Sequence, residues 1–187
     1  MAVNVFAFAG SLREGSFNRA ALRAAVKLRP KDMNIEVFEA AELAQFPLYN
    51  EDVRQKGFPP VVENFREKIR TADAVLIATP EYNYSMSSVT KTAIDWASRP
   101  PDQPFAGKPI AIMGASPGMF GTARAQYHLR QSFVFLDGLV MNRPEVMIPQ
   151  AQNKFEKGEL VDEETKKFIA EMLTALMVWV GRVGPKK

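Results

Sequence analysis

The sequence predicts an α/β protein built on a doubly wound parallel sheet of five strands. Three short apolar runs, Val3–Ala9, 73–79 and Pro109–Ala115, are continuous rather than alternating, which is typical of strands covered on both faces. Segments with helical periodicity lie between these runs, and strands that alternate with helices form parallel sheets with right-handed crossovers. Because 187 residues suit one such core, we expect residues 1–187 to form a single domain.

The helix that follows the first strand is predicted over Phe17–Leu28. Leu22, Ala25 and Val26 lie on its apolar side, and Pro30 ends it because proline cannot continue a helix. The next elements are a second strand around Ile35, Val37 and Phe38, helices over 59–71, 87–98 and 121–136, and a fifth strand within 139–148 that is interrupted near Pro144.

The last helix is predicted to begin at Asp162. The carboxylate of Asp162 suits an N-cap, and Glu163 and Glu164 complement the positive end of the helix dipole. Its apolar positions recur at helical spacing, at Phe168, Met172, Leu176 and Val180. Two segments, 41–58 and 150–160, receive no assignment, and long loops in compact domains are usually functional or mobile.

The composition excludes several classes of protein. The chain has no cysteine and one histidine, His128, which excludes a disulfide framework, a thiolate nucleophile and a cysteine- or histidine-rich metal site. The net charge is +3, and basic residues are interleaved with acidic ones, which argues against nucleic acid as a partner. No segment resembles a signal peptide or reaches about 18 consecutive apolar residues. We therefore expect a cytoplasmic protein with no membrane partner and no bound metal.

The loop after the first strand, residues 10–18, has the composition of a phosphate site. Ligands of such sheets bind at the carboxyl ends of the strands, where a helix N-terminus offers free N–H groups and the positive end of its dipole. Ser11, Ser16 and Asn18 add side-chain donors, and Arg13 adds a positive charge. The structural alternative is a turn rich in glycine and serine that only caps the helix.

This loop matches neither of the two common nucleotide motifs. Gly10 and Gly15 have the spacing of a P-loop, but Ser16 and Phe17 stand where a lysine and a magnesium-binding hydroxyl are required. The dinucleotide fingerprint also fails, because Leu12 occupies a position that requires glycine. The loop is therefore predicted to hold a phosphate monoester.

Two further loops follow the third and fourth strands at the same edge of the sheet. In the first, Tyr82 and Tyr84 flank Asn83, and these residues offer flat surfaces and amide partners to a planar heterocycle. The second, 114–121, contains small residues that let the backbone approach a ring closely. A phosphate site beside a slot for a flat ring predicts a mononucleotide such as FMN. The alternative is that the tyrosines merely cover the sheet edge.

Four motifs, taken in order, give the chain a specific resemblance to a known family. They are GSLRxxSxNR at 10–19, PEYNYS at 80–85, AIDW at 93–96 and QYHLRQ at 126–131. Together they resemble the NADPH-dependent FMN reductases, and among these the bacterial chromate and quinone reductases, over nearly the whole chain. The resemblance implies a flavodoxin-like fold with strand order 2-1-3-4-5, tightly bound FMN, and a homodimer or homotetramer.

The resemblance also implies roles for individual residues. The phosphate side of FMN would be held by Ser11, Arg13, Ser16, Phe17 and Asn18. The flavin ring would be bordered by Pro80, Glu81, Tyr82, Asn83, Tyr84, Ser116 and Gly118. Subunits of a tetramer would be joined through Arg124, Tyr127 and Glu145, with an expected pair between Arg124 and Glu145. One departure from the family pattern is that Met86, Ser87 and Ser88 replace a stretch that usually resembles Pro-Gly-Gly.

The activity implied is the FMN-dependent transfer of two electrons from NADPH or NADH to small-molecule acceptors. Quinones, azo compounds and oxidised metal anions such as chromate are the expected acceptors, in a ping-pong sequence. No catalytic side chain is assigned, because the flavin itself performs the redox chemistry. Arg99 is a candidate contact for an anionic substrate, with a solvated surface charge as the alternative, and His128 is expected in packing or an interface. The alternative function is a non-enzymatic electron carrier of the flavodoxin type, for which a basic charge balance would be unusual.

Overall fold

A parallel sheet forms the middle layer of the molecule, and helices cover both of its faces. The computed structural model describes residues 2–184. The strands are β1 (Val3–Ala9), β2 (Met33–Phe38), β3 (Ala74–Ala78), β4 (Glu81–Tyr82), β5 (Ser85–Met86), β6 (Pro109–Ala115), β7 (Leu139–Val140), β8 (Val146–Ile148), β9 (Phe155–Glu156) and β10 (Glu159–Leu160). The helices are α1 (Phe17–Leu28), α2 (Ala40–Leu43), α3 (Glu51–Arg54), α4 (Pro60–Thr71), α5 (Ser88–Ala97), α6 (Ala123–Phe135) and α7 (Glu163–Val183).

The strand order is β2-β1-β3-β6-β7, with every pair parallel, and β8 also pairs with β6. This confirms the predicted order 2-1-3-4-5, with the fifth strand divided into two short pieces. Pro109 of β6 aligns with Leu139, whereas Met113 aligns with Val146. Pro144 lies between the two pieces, and a proline has no N–H to donate to a sheet. The predicted interruption near this residue is therefore confirmed.

The core is divided between the two faces of the sheet because side chains alternate along each strand. On one face, Val5 and Ala7 of β1 pack with α1 and α7. On the other face, Phe6 and Phe8 pack with α4, α5 and α6. All four side chains are at most 2% exposed, so the central strands are covered on both sides, as their continuous apolar sequence predicts.

The predicted helices form close to their expected bounds. α1 spans the predicted residues, and Asp162 caps α7 by accepting a hydrogen bond from the Thr165 N–H. α6 begins two residues later than predicted, because Gly121 and Thr122 both have left-handed backbone angles. The segment 41–58 contains α3 and the end of α2, and the segment 150–160 contains a short 3₁₀ turn and the β9–β10 hairpin. Within residues 2–184, no helix combines the length and apolar character needed to cross a bilayer.

Candidate functional site

The three loops predicted to converge at the carboxyl edge of the sheet do so, around one narrow cleft. The loops follow β1, β3 and β6. The cleft is lined by Ser11, Arg13, Ser16, Phe17, Asn18, Pro80, Glu81, Tyr82, Ala115, Ser116 and Pro117. Nine of these positions were predicted from the sequence, whereas Ala115 and Pro117 were not. Ala115 is the last residue of β6, and the general rule that ligands bind beyond strand ends was the signal for it.

The first and second loops are joined at Gly10. The Gly10 N–H donates to the Ala78 carbonyl at 2.9 Å, and its own carbonyl accepts from the Ser87 hydroxyl at 2.6 Å. A Cβ at position 10 would lie 1.8 Å from the Thr90 Oγ1, so only glycine allows α5 to approach this closely. Ser87 also caps α5, which gives this serine a structural purpose in the stretch that departs from the family pattern.

The first and third loops are joined by the side chain of Asn18. Its Nδ2 donates to the Ala115 carbonyl at 2.9 Å, and its Oδ1 accepts from the Ala115 N–H at 2.8 Å. Asn18 is 3% exposed. Asn18 therefore braces the cleft through one N–H and its carbonyl oxygen, and its role as a phosphate ligand stays a prediction.

The first loop retains groups that suit a phosphate. Within residues 2–184 the Ser11 hydroxyl has no hydrogen-bond partner, although the residue is only 3% exposed. The first N–H groups of α1 have no partner inside the helix, and the helix dipole places positive potential there. Ser16 caps this helix by accepting from the Arg19 N–H at 3.3 Å. These donors fit a phosphate monoester.

Arg13 adds a mobile positive charge at the rim of this loop. Its side chain is exposed, and the guanidinium lies 5.6 Å from the centre of the Phe17 ring. An exposed guanidinium can reach a phosphate oxygen without paying the cost of permanent burial. Arg13 and Phe17 thus lie together in the cleft, and their contact with a phosphate stays a prediction.

The second loop forms a tight hairpin that the sequence analysis missed. β4 and β5 pair antiparallel, and the two residues between them, Asn83 and Tyr84, have φ angles of 49° and 67°. Two consecutive positive φ angles are the signature of a type I′ turn, which tyrosine rarely enters. The turn leaves Tyr82 51% exposed and Tyr84 67% exposed. Both rings therefore offer free surface beside the cleft.

Glu81 and Arg124 fasten this hairpin to α6. The Arg124 Nε donates to Glu81 Oε1 at 2.8 Å, and the Ala125 N–H donates to the other carboxylate oxygen at 3.3 Å. The Arg124 guanidinium also lies 3.8 Å from the centre of the Tyr84 ring and 4.5 Å from that of Phe120. Such placement over aromatic faces is attractive. The Glu81–Arg124 ion pair and the stacking of Arg124 on Tyr84 thus both hold the hairpin against α6.

Within one chain, Arg124 and Glu145 have separate partners. The carboxylate partner of Arg124 is Glu81, and Glu145 instead lies 3.5 Å from the Tyr127 hydroxyl. Glu81 was predicted only as a border of the ring, so its second function at the N-terminus of α6 is new. The expected interface of Arg124, Tyr127 and Glu145 between subunits remains a prediction.

Arg99 does not reach the cleft of its own chain. Ser87 at the start of α5 contacts Gly10, and Arg99 lies beyond the other end of this helix, about 15 Å away along its axis. There its Nε donates to the Asp95 carbonyl, and the guanidinium lies 5.0 Å from the centre of the Tyr49 ring. Arg99 is therefore not among the residues that line the cleft of its own chain, and its contact with an anionic substrate stays a prediction.

The remaining predicted residues lie in the second and third loops and on α6. Ser116 accepts from the Gly118 N–H at 3.1 Å, which shapes the third loop. Gly118 is exposed, and Pro80 is buried directly after β3. His128 is exposed on α6, and its Nδ1 lies 3.1 Å from the Ser85 hydroxyl, which agrees with a role in packing.

Comparison with known proteins relates this geometry to enzymes that use flavin and nicotinamide. Residues 3–153 match the family of NADPH-dependent FMN reductases. The NAD(P)H-dependent FMN reductase PA1204 of Pseudomonas aeruginosa is 59% identical over 182 residues, which cover 97% of each chain. A quinone reductase of Escherichia coli K12 is 48% identical over 184 residues, again 97% of each chain. The structure of FerB, a flavoenzyme NAD(P)H:(acceptor) oxidoreductase from Paracoccus denitrificans, is 34% identical with a TM-score of 0.87, and covers 98% of this chain and 100% of its own.

Proposed function

Because this chain belongs to the NADPH-dependent FMN reductase family, we propose that it passes two electrons from NADPH or NADH to quinones. It is an FMN-dependent NAD(P)H oxidoreductase. The observation that carries the proposal is the juxtaposition of a phosphate-binding loop, whose Ser11 hydroxyl has no hydrogen-bond partner among residues 2–184, and a hairpin that exposes two tyrosine rings. A quinone is a flat, uncharged molecule that suits such aromatic surfaces.

Different residues of the cleft contact the phosphate and the ring of FMN. Ser11, Arg13 and the N-terminus of α1 bind the phosphate, while Asn18 braces the loop from behind. Tyr82 and the loop of Ser116 and Gly118 border the ring. When bound, FMN supplies the two-electron chemistry, and the protein supplies position and electrostatic surroundings.

Azo compounds and chromate are further acceptors that we propose. An azo compound shares the flat shape of a quinone and uses the same aromatic surfaces. Chromate is an anion, and its approach is favoured by the net charge of +3 of the chain. Competition assays with each acceptor against a quinone test whether all of them use one site.

A single open face for both substrates predicts ping-pong kinetics. If both substrates use this one face, the oxidised nicotinamide must leave before the acceptor enters. Plots of reciprocal rate against reciprocal NADPH concentration should then be parallel at several fixed quinone concentrations. Lines that intersect would mean that both substrates bind together.

We propose further that the protein works in the cytoplasm as a homodimer or homotetramer. An electron carrier of the flavodoxin type would need a separate reductase, whereas the enzyme proposed here consumes NADPH by itself. Steady NADPH oxidation by the purified protein with a quinone separates these two functions. A flavin-loaded protein that never oxidises NADPH or NADH would support the carrier.

A further inference from the structure

A second concave surface lies on the other side of α1 from the flavin cleft. We call it the α1–β2 groove. It encloses about 390 Å³ and is lined by Ala9, Arg19, Leu22, Arg23, Val26, Lys27, Val37, Phe38, Glu39 and Ala40. β2 is the edge strand of the sheet, so the space between it and α1 has no further helix to fill it. The groove is therefore open because β2 is at the edge of the sheet. The residues that line it determine which ligand it can bind.

The floor of the groove is apolar. Leu22 and Phe38 are each 2% exposed, and Val26 and Val37 are half-buried at its surface. The Phe38 ring is thus covered by its neighbours and offers no free face on which a nucleotide base or another flat ring could stack. An aliphatic chain needs no such face and gains free energy from contact with any apolar floor.

One side of the groove carries a row of positive charges. Arg19, Arg23 and Lys27 recur every fourth residue of α1, so they form a stripe about 12 Å long on one side of the helix. Glu39 is the one carboxylate among the described lining residues. Like charges at this spacing repel each other within a helix, and an anion placed alongside relieves that repulsion.

Arg19, Arg23 and Lys27 make few hydrogen bonds within the chain, so most of their N–H donors remain available to a ligand. Arg19 donates one N–H to the Arg13 carbonyl at 3.3 Å, and Arg23 donates one to the Gly158 carbonyl at 2.8 Å. A guanidinium has five N–H donors. Lys27 pairs with Glu159 at 2.5 Å, and the side chains of both residues are more than half exposed. Exposed pairs of this kind are readily exchanged for another anion.

We propose that the α1–β2 groove binds an elongated apolar anion of the medium-chain alkyl carboxylate class. The alkyl chain lies on the half-buried Val26 and Val37, and the carboxylate is held by Arg23 and Lys27. This site is separate from the flavin cleft, because none of its lining residues lines that cleft. The proposal does not depend on which acceptor the enzyme reduces.

Calorimetric titration of the flavin-loaded protein with sodium decanoate tests this site. We expect one saturable site per chain, with binding unaffected by a saturating quinone. Decanol, which has the chain without the charge, should bind about tenfold more weakly or worse, since the charged hydrogen bonds are lost. Absence of a saturable site, equal binding of decanol, or displacement of decanoate by quinone would overturn the proposal.

Two variants locate the site, and one serves as a control. Val26→Trp fills the groove, and the pair Arg23→Glu and Lys27→Glu reverses its charge; each should weaken decanoate binding about tenfold or more. Lys56→Glu reverses a single charge at an exposed position outside the groove and should leave binding unchanged. Flavin content and the thermal midpoint of unfolding confirm that each variant is folded. If Val26→Trp does not fold, the charge-reversed variant alone tests whether decanoate binds in the groove. Unchanged affinity in the folded groove variants would reject the site.

Discussion

Single side chains hold the flavin cleft in shape before any ligand is present. The Ser87 hydroxyl binds the Gly10 carbonyl, and the Asn18 amide makes two hydrogen bonds with Ala115. These groups are buried, and leaving a buried partner unsatisfied costs about 1–3 kcal/mol. A loop already fixed in its binding conformation pays less entropy when its ligand binds. Ser11 differs from both, because the fold makes no use of its hydroxyl.

Ser11→Ala should therefore weaken FMN binding while leaving the stability of the apo-protein nearly unchanged. A hydrogen bond to a charged phosphate oxygen contributes about 1.5–3 kcal/mol, which corresponds to roughly 10- to 150-fold in Kd. Titration of the apo-protein with FMN, followed by flavin fluorescence, measures the change. Ser132→Ala on α6 is the matched control. An unchanged Kd in Ser11→Ala would remove this hydroxyl from the phosphate site.

For single residues, the sequence predicts which polar side chains lie near helix starts better than it predicts their hydrogen-bond partners. Asn18 and Ser87 are recognisable as polar residues near helix starts, and helix capping is a local pattern. Their tertiary partners are 97 and 77 residues away in the chain. Nothing local encodes such a partner, which explains why the contacts of Asn18 with Ala115 and of Ser87 with Gly10 were not predicted.

Whole elements are positioned by glycines at points of close approach. Gly10→Ala would bring a methyl group to within 1.8 Å of the Thr90 Oγ1, so α5 would have to move. Overpacking of this kind typically costs about 1–3 kcal/mol. Thr90→Ala removes the atom that clashes, and the double variant should lose less stability than the two single variants together.

Urea unfolding of the apo-proteins measures this coupling. Gly181→Ala is the control, because a Cβ there meets no atom within 4 Å and the residue lies inside α7. That substitution should stabilise the protein by about 0.5–1 kcal/mol through helix propensity. Strict additivity between Gly10→Ala and Thr90→Ala would show that α5 is not held by this contact.

The start of α7 should be sensitive to pH through Asp162. The hydroxyl and N–H of Thr165 bind its carboxylate, and Lys154 lies 3.3 Å away, so the pKa of Asp162 is below its ordinary value. The folded pKa is thus lower than the unfolded one. The stabilisation is therefore complete above pH of about 4 and is lost as the pH falls through the folded pKa.

Asp162→Ala should cost about 0.5–2 kcal/mol at pH 7, the range for loss of an N-cap. The difference from wild type should shrink as the pH falls through the folded pKa of Asp162, which lies below its ordinary value, because protonation removes the wild-type charge. Urea unfolding at several pH values measures it. A difference that stays constant down to pH of about 2 would mean that the ionised carboxylate contributes nothing.

Regular elements were predictable because their patterns are local, and the exceptions have physical causes. β1 and β6 have the predicted bounds, since both are buried on two faces and read as continuous apolar runs. The β4–β5 hairpin was missed because Asn83 and Tyr84 are not the Asn-Gly pair that usually marks a type I′ turn. Glycine usually stabilises such a turn, whereas here the contact of the Tyr84 ring with Arg124 does so.

On the scale of the whole molecule, α6 is the helix that leaves most apolar surface free. Val134 is 82% exposed and Phe135 is 90% exposed at its end, and Tyr127 is half exposed in its middle. Exposed apolar groups on one helix face are typical of an interaction surface. The surface agrees with the proposed homo-oligomer, in which a two-fold axis would use each contact twice.

Glu145→Ala should shift a tetramer toward a dimer while FMN stays bound. A charge pair buried between subunits costs about 2–5 kcal/mol when one partner is removed, which is enough to change assembly at micromolar concentration. Light scattering after size exclusion measures the mass. Glu156→Ala, at an exposed position of the β9–β10 hairpin, is the control. A monomeric wild type, or a variant of unchanged mass, would reject this interface.

The most direct test of the account as a whole is the absorption spectrum of the purified protein under argon. We predict flavin absorbance that survives gel filtration, bleaches when NADPH is added, and returns when a quinone follows. Protein without flavin absorbance that also fails to take up FMN, or a bound flavin that neither NADPH nor NADH bleaches, would contradict the assignment.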